Sequence, residues 1–120
     1  MEQLLWIIER IIDWRGVKLE SRIRAIDGLT PAVAQTLFYT TELAGGQPRD
    51  REKESELHGL WYAASSAVSG LDKQLARQCL SKSKYWLFPD GYNDTNEYKI
   101  DELNIRLIRM QAILEELKHQ

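Results

Sequence analysis

The sequence predicts an all-α fold, a single-domain bundle of four to five antiparallel helices spanning residues 1–120. Three observations predict it. Apolar residues recur at steps of three and four along most of the chain, most cleanly at Ile100, Leu103, Leu107, Met110, Leu114 and Leu117. Turn-forming residues (Gly28, Gly45 with Gly46 and Pro48, Ser69 with Gly70, Pro89 with Asp90 and Gly91) fall between these runs. A chain of 120 residues, 43% hydrophobic and 28% charged, is large and apolar enough to bury one core.

The first run places Leu4, Leu5, Ile8, Ile11 and Ile12, then Leu19, Ile23 and Ile26, on one helical stripe with a gap near Gly16. A glycine inside a helix costs about 1 kcal/mol relative to alanine, so this helix either kinks or splits there. Trp6, Ile7 and Trp14 fall outside the stripe and widen its apolar face toward a partner or a central position.

Gly28 reads as a left-handed helix terminator and Thr30 followed by Pro31 as the start of a second helix, carrying Val33, Leu37, Phe38, Thr41 and Leu43. The loop at 45–50 ends it. Asp50 is placed to cap a third helix, with Glu52, Glu54 and Glu56 in its first turns and Leu57, Leu60, Trp61, Ala64 and Val68 as its inner stripe. Ser69 and Gly70 then read as a glycine cap between that helix and a fourth, which carries Leu71, Leu75, Cys79 and Trp86. After a turn-rich stretch in which Asp94 and Glu97 can form a capping box, the last helix carries its seam together with Ile105, Ile108 and Ile113, which suggests two neighbours.

A net charge of −2 implies no global attraction to nucleic acid or anionic membrane. Basic residues at Arg15, Lys18 and Arg22, at Lys73, Arg77 and Lys84, and at Arg106 and Arg109 are diluted by Glu20, Asp72 and Glu102, so nucleic-acid binding without catalysis stands as a second alternative. The one cysteine, Cys79, leaves no internal disulfide or cysteine-rich zinc site and fits a reducing cytoplasm. With two histidines, His58 and His119, and no phosphate-loop lysine, neither a metal nor a cofactor is expected. The first 16 residues are broken by Glu2, Glu9, Arg10 and Asp13 and lack a basic n-region, and no window approaches the ~20 apolar residues of a membrane span.

Two constellations could carry chemistry. Arg51 and His58 have the arginine–histidine spacing that resembles the HEPN ribonucleases, an all-helical family. The resemblance covers these residues alone and implies an arginine on RNA phosphate and a histidine in proton transfer. Against it, Glu52, Glu54 and Glu56 would repel a phosphate backbone. The second constellation follows from the hairpin, which brings residue 79 opposite residue 61 and hence Cys79 near His58, although a cysteine on an inner stripe is ordinarily packing.

The remaining feature is aromatic. Tyr85, Trp86, Phe88, Tyr92 and Tyr98 cluster within 14 residues, either as a recognition surface or as a seal on one end of the bundle. With Trp6, Trp14, Ile105 and Ile113, the residues Tyr85, Phe88, Tyr92 and Tyr98 form the expected partner-binding set. The sequence therefore favours a non-enzymatic helical module that binds another protein or a second copy of itself, with HEPN-like ribonuclease action as the alternative.

Overall fold

The computed structural model describes residues 2–87 and 100–119, with side chains at 7–83 and 105–119. Within them lie α1 (Glu2–Ile12), a 3-10 turn (Asp13–Gly16), α2 (Leu19–Ala44), α3 (Arg51–Val68), α4 (Lys73–Leu87) and α5 (Ile100–Lys118), and the described residues form no strand. The chain is an all-α bundle. α3 lies between α2 and α4, α5 packs on the other side of α2, and α1 packs against both α5 and α4. One hydrophobic cluster draws on all five helices.

The first long run splits. After Ile12 the backbone tightens into the 3-10 turn and leaves it at an extended Val17. Trp14 lies seven residues after Ile7, within about 20° of it around the helix axis, and shares its burial at 2% exposure. Ile7 is also fully buried, because α1 has neighbours on two sides and needs a wide apolar face.

Contrary to the expectation at Gly28, Thr30 and Pro31, α2 does not stop. It runs for 26 residues with Pro31 inside, Thr30 Oγ1 donates back to the Ile26 carbonyl at 2.7 Å, and Gly28 does not take a positive φ. Gly28 serves packing instead: a Cβ placed there would lie 2.2 Å from the Cβ of Ala67 on α3. The continuous helix fixes one core face through Ala25, Ile26, Leu29, Ala32, Val33, Thr36, Tyr39 and Thr40. Phe38 and Leu19, both assigned to inner stripes from the sequence, are therefore turned outward.

The end of α2 is closed by a Schellman arrangement. Gly46 takes φ 96°, its N–H donates to the Leu43 carbonyl at 3.1 Å, and the Gln47 N–H donates to that of Glu42 at 3.0 Å. Asp50 Oδ1 then accepts from the Glu52 and Lys53 amides at 3.0 and 3.2 Å, capping α3 as expected.

The hairpin between α3 and α4 turns where expected, without a left-handed Gly70. The Leu71 and Asp72 amides bond back to the Val68 carbonyl, and Asp72 Oδ1 accepts from the Leu75 amide at 3.1 Å to cap α4. On α5, Leu107, Met110, Leu114 and Leu117 are fully buried. Ile113 packs at their side, whereas Ile105 and Ile108 point away from the bundle. The turn at Pro89, Asp90 and Gly91 and the capping box of Asp94 and Glu97 lie outside the described residues.

Two predictions follow from this packing. Trp61→Ala or Leu107→Ala removes a side chain at 1% or 0% exposure and should lower stability by about 2–5 kcal/mol, read from urea unfolding midpoints. The two mid-helix glycines should respond with opposite sign. Gly59→Ala meets open space and should gain about 0.5–1 kcal/mol from helix propensity, whereas Gly28→Ala drives α2 off α3 and should lose about 1–3 kcal/mol. Equal responses would show that the α2–α3 approach is not tight.

Candidate functional site

The hairpin of α3 and α4 brings His58 opposite Ser83, and the two residues form a closed exchange. Ser83 Oγ lies 2.8 Å from the His58 carbonyl and 2.7 Å from His58 Nδ1, which is also 3.0 Å from the Ser83 carbonyl. One assignment satisfies all three contacts: the serine hydroxyl donates to the His58 carbonyl, and Nδ1–H donates to the serine oxygens. A serine that gives its proton to a backbone carbonyl and accepts from the imidazole is not an activated nucleophile, and Ser83 is fully buried. The arrangement pins two helices. It follows from the turn at Ser69 and Gly70, which sets residue numbers summing to about 141 opposite one another, so the hairpin register alone points His58 to Ser83.

Cys79 itself is fully enclosed. Burial pushes its thiol up to about 12, with the Asp72 carboxylate adding to the shift, which holds it as the unreactive thiol. The proposed cysteine–histidine pair is not formed, because the His58 ring turns to Ser83. Arg51 is exposed in the first turn of α3, seven residues and about two helical turns before His58, roughly 10 Å along the axis. The spacing thus leaves both on one face, with the histidine's Nδ1 already engaged by α4.

A second polar cluster sits where the 45–50 loop returns to α2. Glu54, 2% exposed, accepts from the Tyr39 hydroxyl at 2.6 Å and from Arg49 Nε and Nη2 at 3.1 Å each, while the Asp50 amide donates to the Tyr39 oxygen at 3.0 Å. The forked guanidinium compensates the buried carboxylate, as a buried charge requires. Burial, and then the carboxylate beside it, push Tyr39 up to about 12, so the phenol stays protonated and donating. One turn away on α2, Thr36 Oγ1 accepts from Trp61 Nε1 at 2.8 Å. None of these signals was read from the sequence, since Glu54 appeared there only as a first-turn acid.

Three of the basic residues are engaged or partly enclosed. Arg15 pairs with Glu116 at 3.3 Å, Arg22 is buried with Nη1 toward the Arg15 carbonyl, and Arg106 is half-buried. Among the described residues no three His, Cys, Asp or Glu side chains are placed to hold a metal ion, and no helix is long and apolar enough to cross a membrane. A shallow groove lined by Gln35, Phe38, Tyr39, Lys53, Glu56, Leu57 and Leu60 holds ≈ 230 Å³ open to solvent, smaller than an ordinary ligand pocket.

Of the expected partner-binding residues, Trp14 is a correction: at 2% exposure it belongs to the core, on the same side as the buried Ile7 two turns before it. Ile113 is half-buried against the core, and Ile105 is 66% exposed. The side chains of Trp6 and Tyr85 lie outside those described, as do Phe88, Tyr92 and Tyr98 altogether. Missing from the expected set is Ile108, 55% exposed. At about 100° per residue, Ile105, Ile108 and Ala112 share a sector of about 60° opposite the stripe of Leu107, Met110, Leu114 and Leu117. Compared with protein-family models, curated proteins and solved structures, the chain matches none.

An electrostatic link joins α1 to the start of α4. Arg10 Nε donates to Asp72 Oδ2 at 2.8 Å. Burial alone would raise the Asp72 carboxyl, but the Arg10 bond and the Leu75 and Gln74 amides outweigh it and hold its pKa below the ordinary value of 3.8. A depressed folded pKa gives stability that is present above the ordinary carboxylate range and is lost as pH falls through the folded value. The urea midpoint of the wild type should therefore exceed that of Asp72→Asn near neutrality, and the gap should shrink below about pH 4. A gap that stays constant into acid would assign the effect to geometry and not to charge.

Proposed function

We propose that this chain is a non-enzymatic helical interaction module that docks a protein partner, or a second copy of itself, on the outer face of α5. The observation that carries the reading is the pair Ile105 and Ile108, 66% and 55% exposed, on the side of α5 diametrically away from the core. Arg109, Glu115 and Glu116 flank them, which gives an apolar centre with a charged rim. The chemistry-bearing side chains support the same reading, because His58, Ser83 and Glu54 are committed to bonds between packed elements and Cys79 is enclosed. Two isoleucines supply only the centre of a stable interface, which buries about 800 Å² on each partner, so contacts beyond them complete it.

Light scattering and affinity capture with the full chain test this. The expected result is self-association or a retained protein that is lost in Ile105→Glu/Ile108→Glu, while the urea midpoint stays within about 0.5 kcal/mol of wild type, as for an exposed substitution. A wild type that is strictly monomeric and retains nothing, or a partner held equally by the variant, overturns it.

A further inference from the structure

We propose that the occupant of the α5 face is a second copy of the chain, set antiparallel so that Ile105 of each copy packs on Ile108 of the other. This rests on the docking face proposed above and names its partner. Along the outside of α5, Asp101, Ile105, Ile108, Ala112, Glu115 and His119 follow at alternating steps of four and three, the repeat by which helices pair along a seam. This second seam lies on the side of α5 away from Leu107, Met110, Leu114 and Leu117. From Ile105 to His119 its residues are all exposed, the two isoleucines at 66% and 55%.

The charges on and beside the seam decide how two copies can meet. In a parallel pair equivalent residues face one another, which sets Glu115 against Glu115 on the seam itself, and like charges in contact count heavily against a pairing. Antiparallel pairs differ by whole heptads. A crossing at Met110 sets Ile105 against Glu115 and Arg109 against Arg109, so both the apolar and the charged contacts are mismatched.

Sliding one heptad toward the start of α5, so that opposed residue numbers sum to about 213, brings all four isoleucines into one cluster. The same slide sets position 102, a glutamate, opposite Arg109, and two-fold symmetry makes that pairing at both ends of the cluster. Arg109 is exposed and, among the described residues, makes no ion pair within its own chain. A step beyond either register carries Ile105 or Ile108 past the end of the opposing helix. The contact is small, at the transient end of protein interfaces, so it is read at high protein concentration.

Sedimentation equilibrium of the full chain at low salt, up to about 1 mM, tests this. The wild type should show a reversible monomer–dimer equilibrium. Arg109→Glu and Glu102→Arg should each weaken it roughly tenfold or more, because each sets like charges together at both ends. The charge-swapped Glu102→Arg/Arg109→Glu chain should associate within about threefold of wild type, and so should an equimolar mixture of the two single variants, in which each altered charge faces its opposite. Recovery in the swap and in the mixture excludes loss of fold as the cause. Single variants that dimerise like wild type, or a swap and a mixture that stay monomeric, overturn the pairing. A monomeric wild type that captures another protein through Ile105 and Ile108 overturns the pairing and leaves the docking face standing, whereas a monomer that captures nothing overturns both.

Discussion

The close approach of α2 to α3 at Gly28 is the constraint from which the bundle's register follows. The Cβ of Ala67 occupies the space a side chain at 28 would need, so the two helix axes come within the distance that only a glycine–alanine contact permits. With that contact fixed and the helices antiparallel, Trp61 falls beside Thr36 and Glu54 beside Tyr39, one and two further steps down the seam. It also explains why α2 tolerates Pro31. A proline inside a helix costs about 3 kcal/mol through a lost hydrogen bond and a clash with the preceding turn, whereas breaking α2 there would strip Leu29, Ala32 and Val33, all fully buried, of their places against its neighbours. Burying those three side chains outweighs the proline.

The polar groups that enter this interior are arranged as fasteners. The Tyr39 hydroxyl both donates to Glu54 and accepts from the Asp50 amide, so the loop that reverses the chain is tied to the helix it leaves and to the helix it begins. Ser83 and His58 do the same between α3 and α4. A buried polar group without a partner costs about 1–3 kcal/mol, so each of these side chains is worth more in place than its net bond energy suggests. In that arrangement the imidazole nitrogen facing Ser83 is a donor and does not act as a base on that hydroxyl, and the Cys79 thiol is enclosed.

Much of the fold was legible because it is written in periodicity. The α5 seam from Leu107 to Leu117, the Asp50 cap, the glycine pair closing α2 and the turn at Ser69 and Gly70 are all local signals, and the structure realises each where it stands in the sequence. The failures were tertiary. Gly28, Thr30 and Pro31 are a persuasive local stop signal, and only contact with a helix some forty residues away reveals that the glycine is needed for proximity. Val33 lies in the core face of α2, and Phe38, about 140° further round, falls on the surface. Trp14, grouped outside the first stripe in the sequence, lies two turns after Ile7 and shares its burial. Of the candidate site, the sequence found Ile105 but not the adjacent Ile108 as a second exposed residue, because an apolar stripe read without knowledge of neighbours does not say which side is inside.

Two apolar surfaces in this molecule therefore differ in kind. On α1, Ile7, Ile8 and Ile11 are fully buried in the hydrophobic cluster, and the helix packs on α4 and α5. On α5 the outward isoleucines contribute nothing to the core, and isoleucine is a slightly poorer helix former than the leucine, glutamate or lysine that an exposed position would otherwise favour. A single such residue is unremarkable on any protein surface. Two of them three residues apart, with Ala112 continuing the strip and charges confined to its margins, lower the solubility of the helix without stabilising the monomer. A contact made on that face recovers about 25 cal/mol for each Å² of apolar surface withdrawn from water, and the helix presents it on a rigid element whose other side is already fully packed.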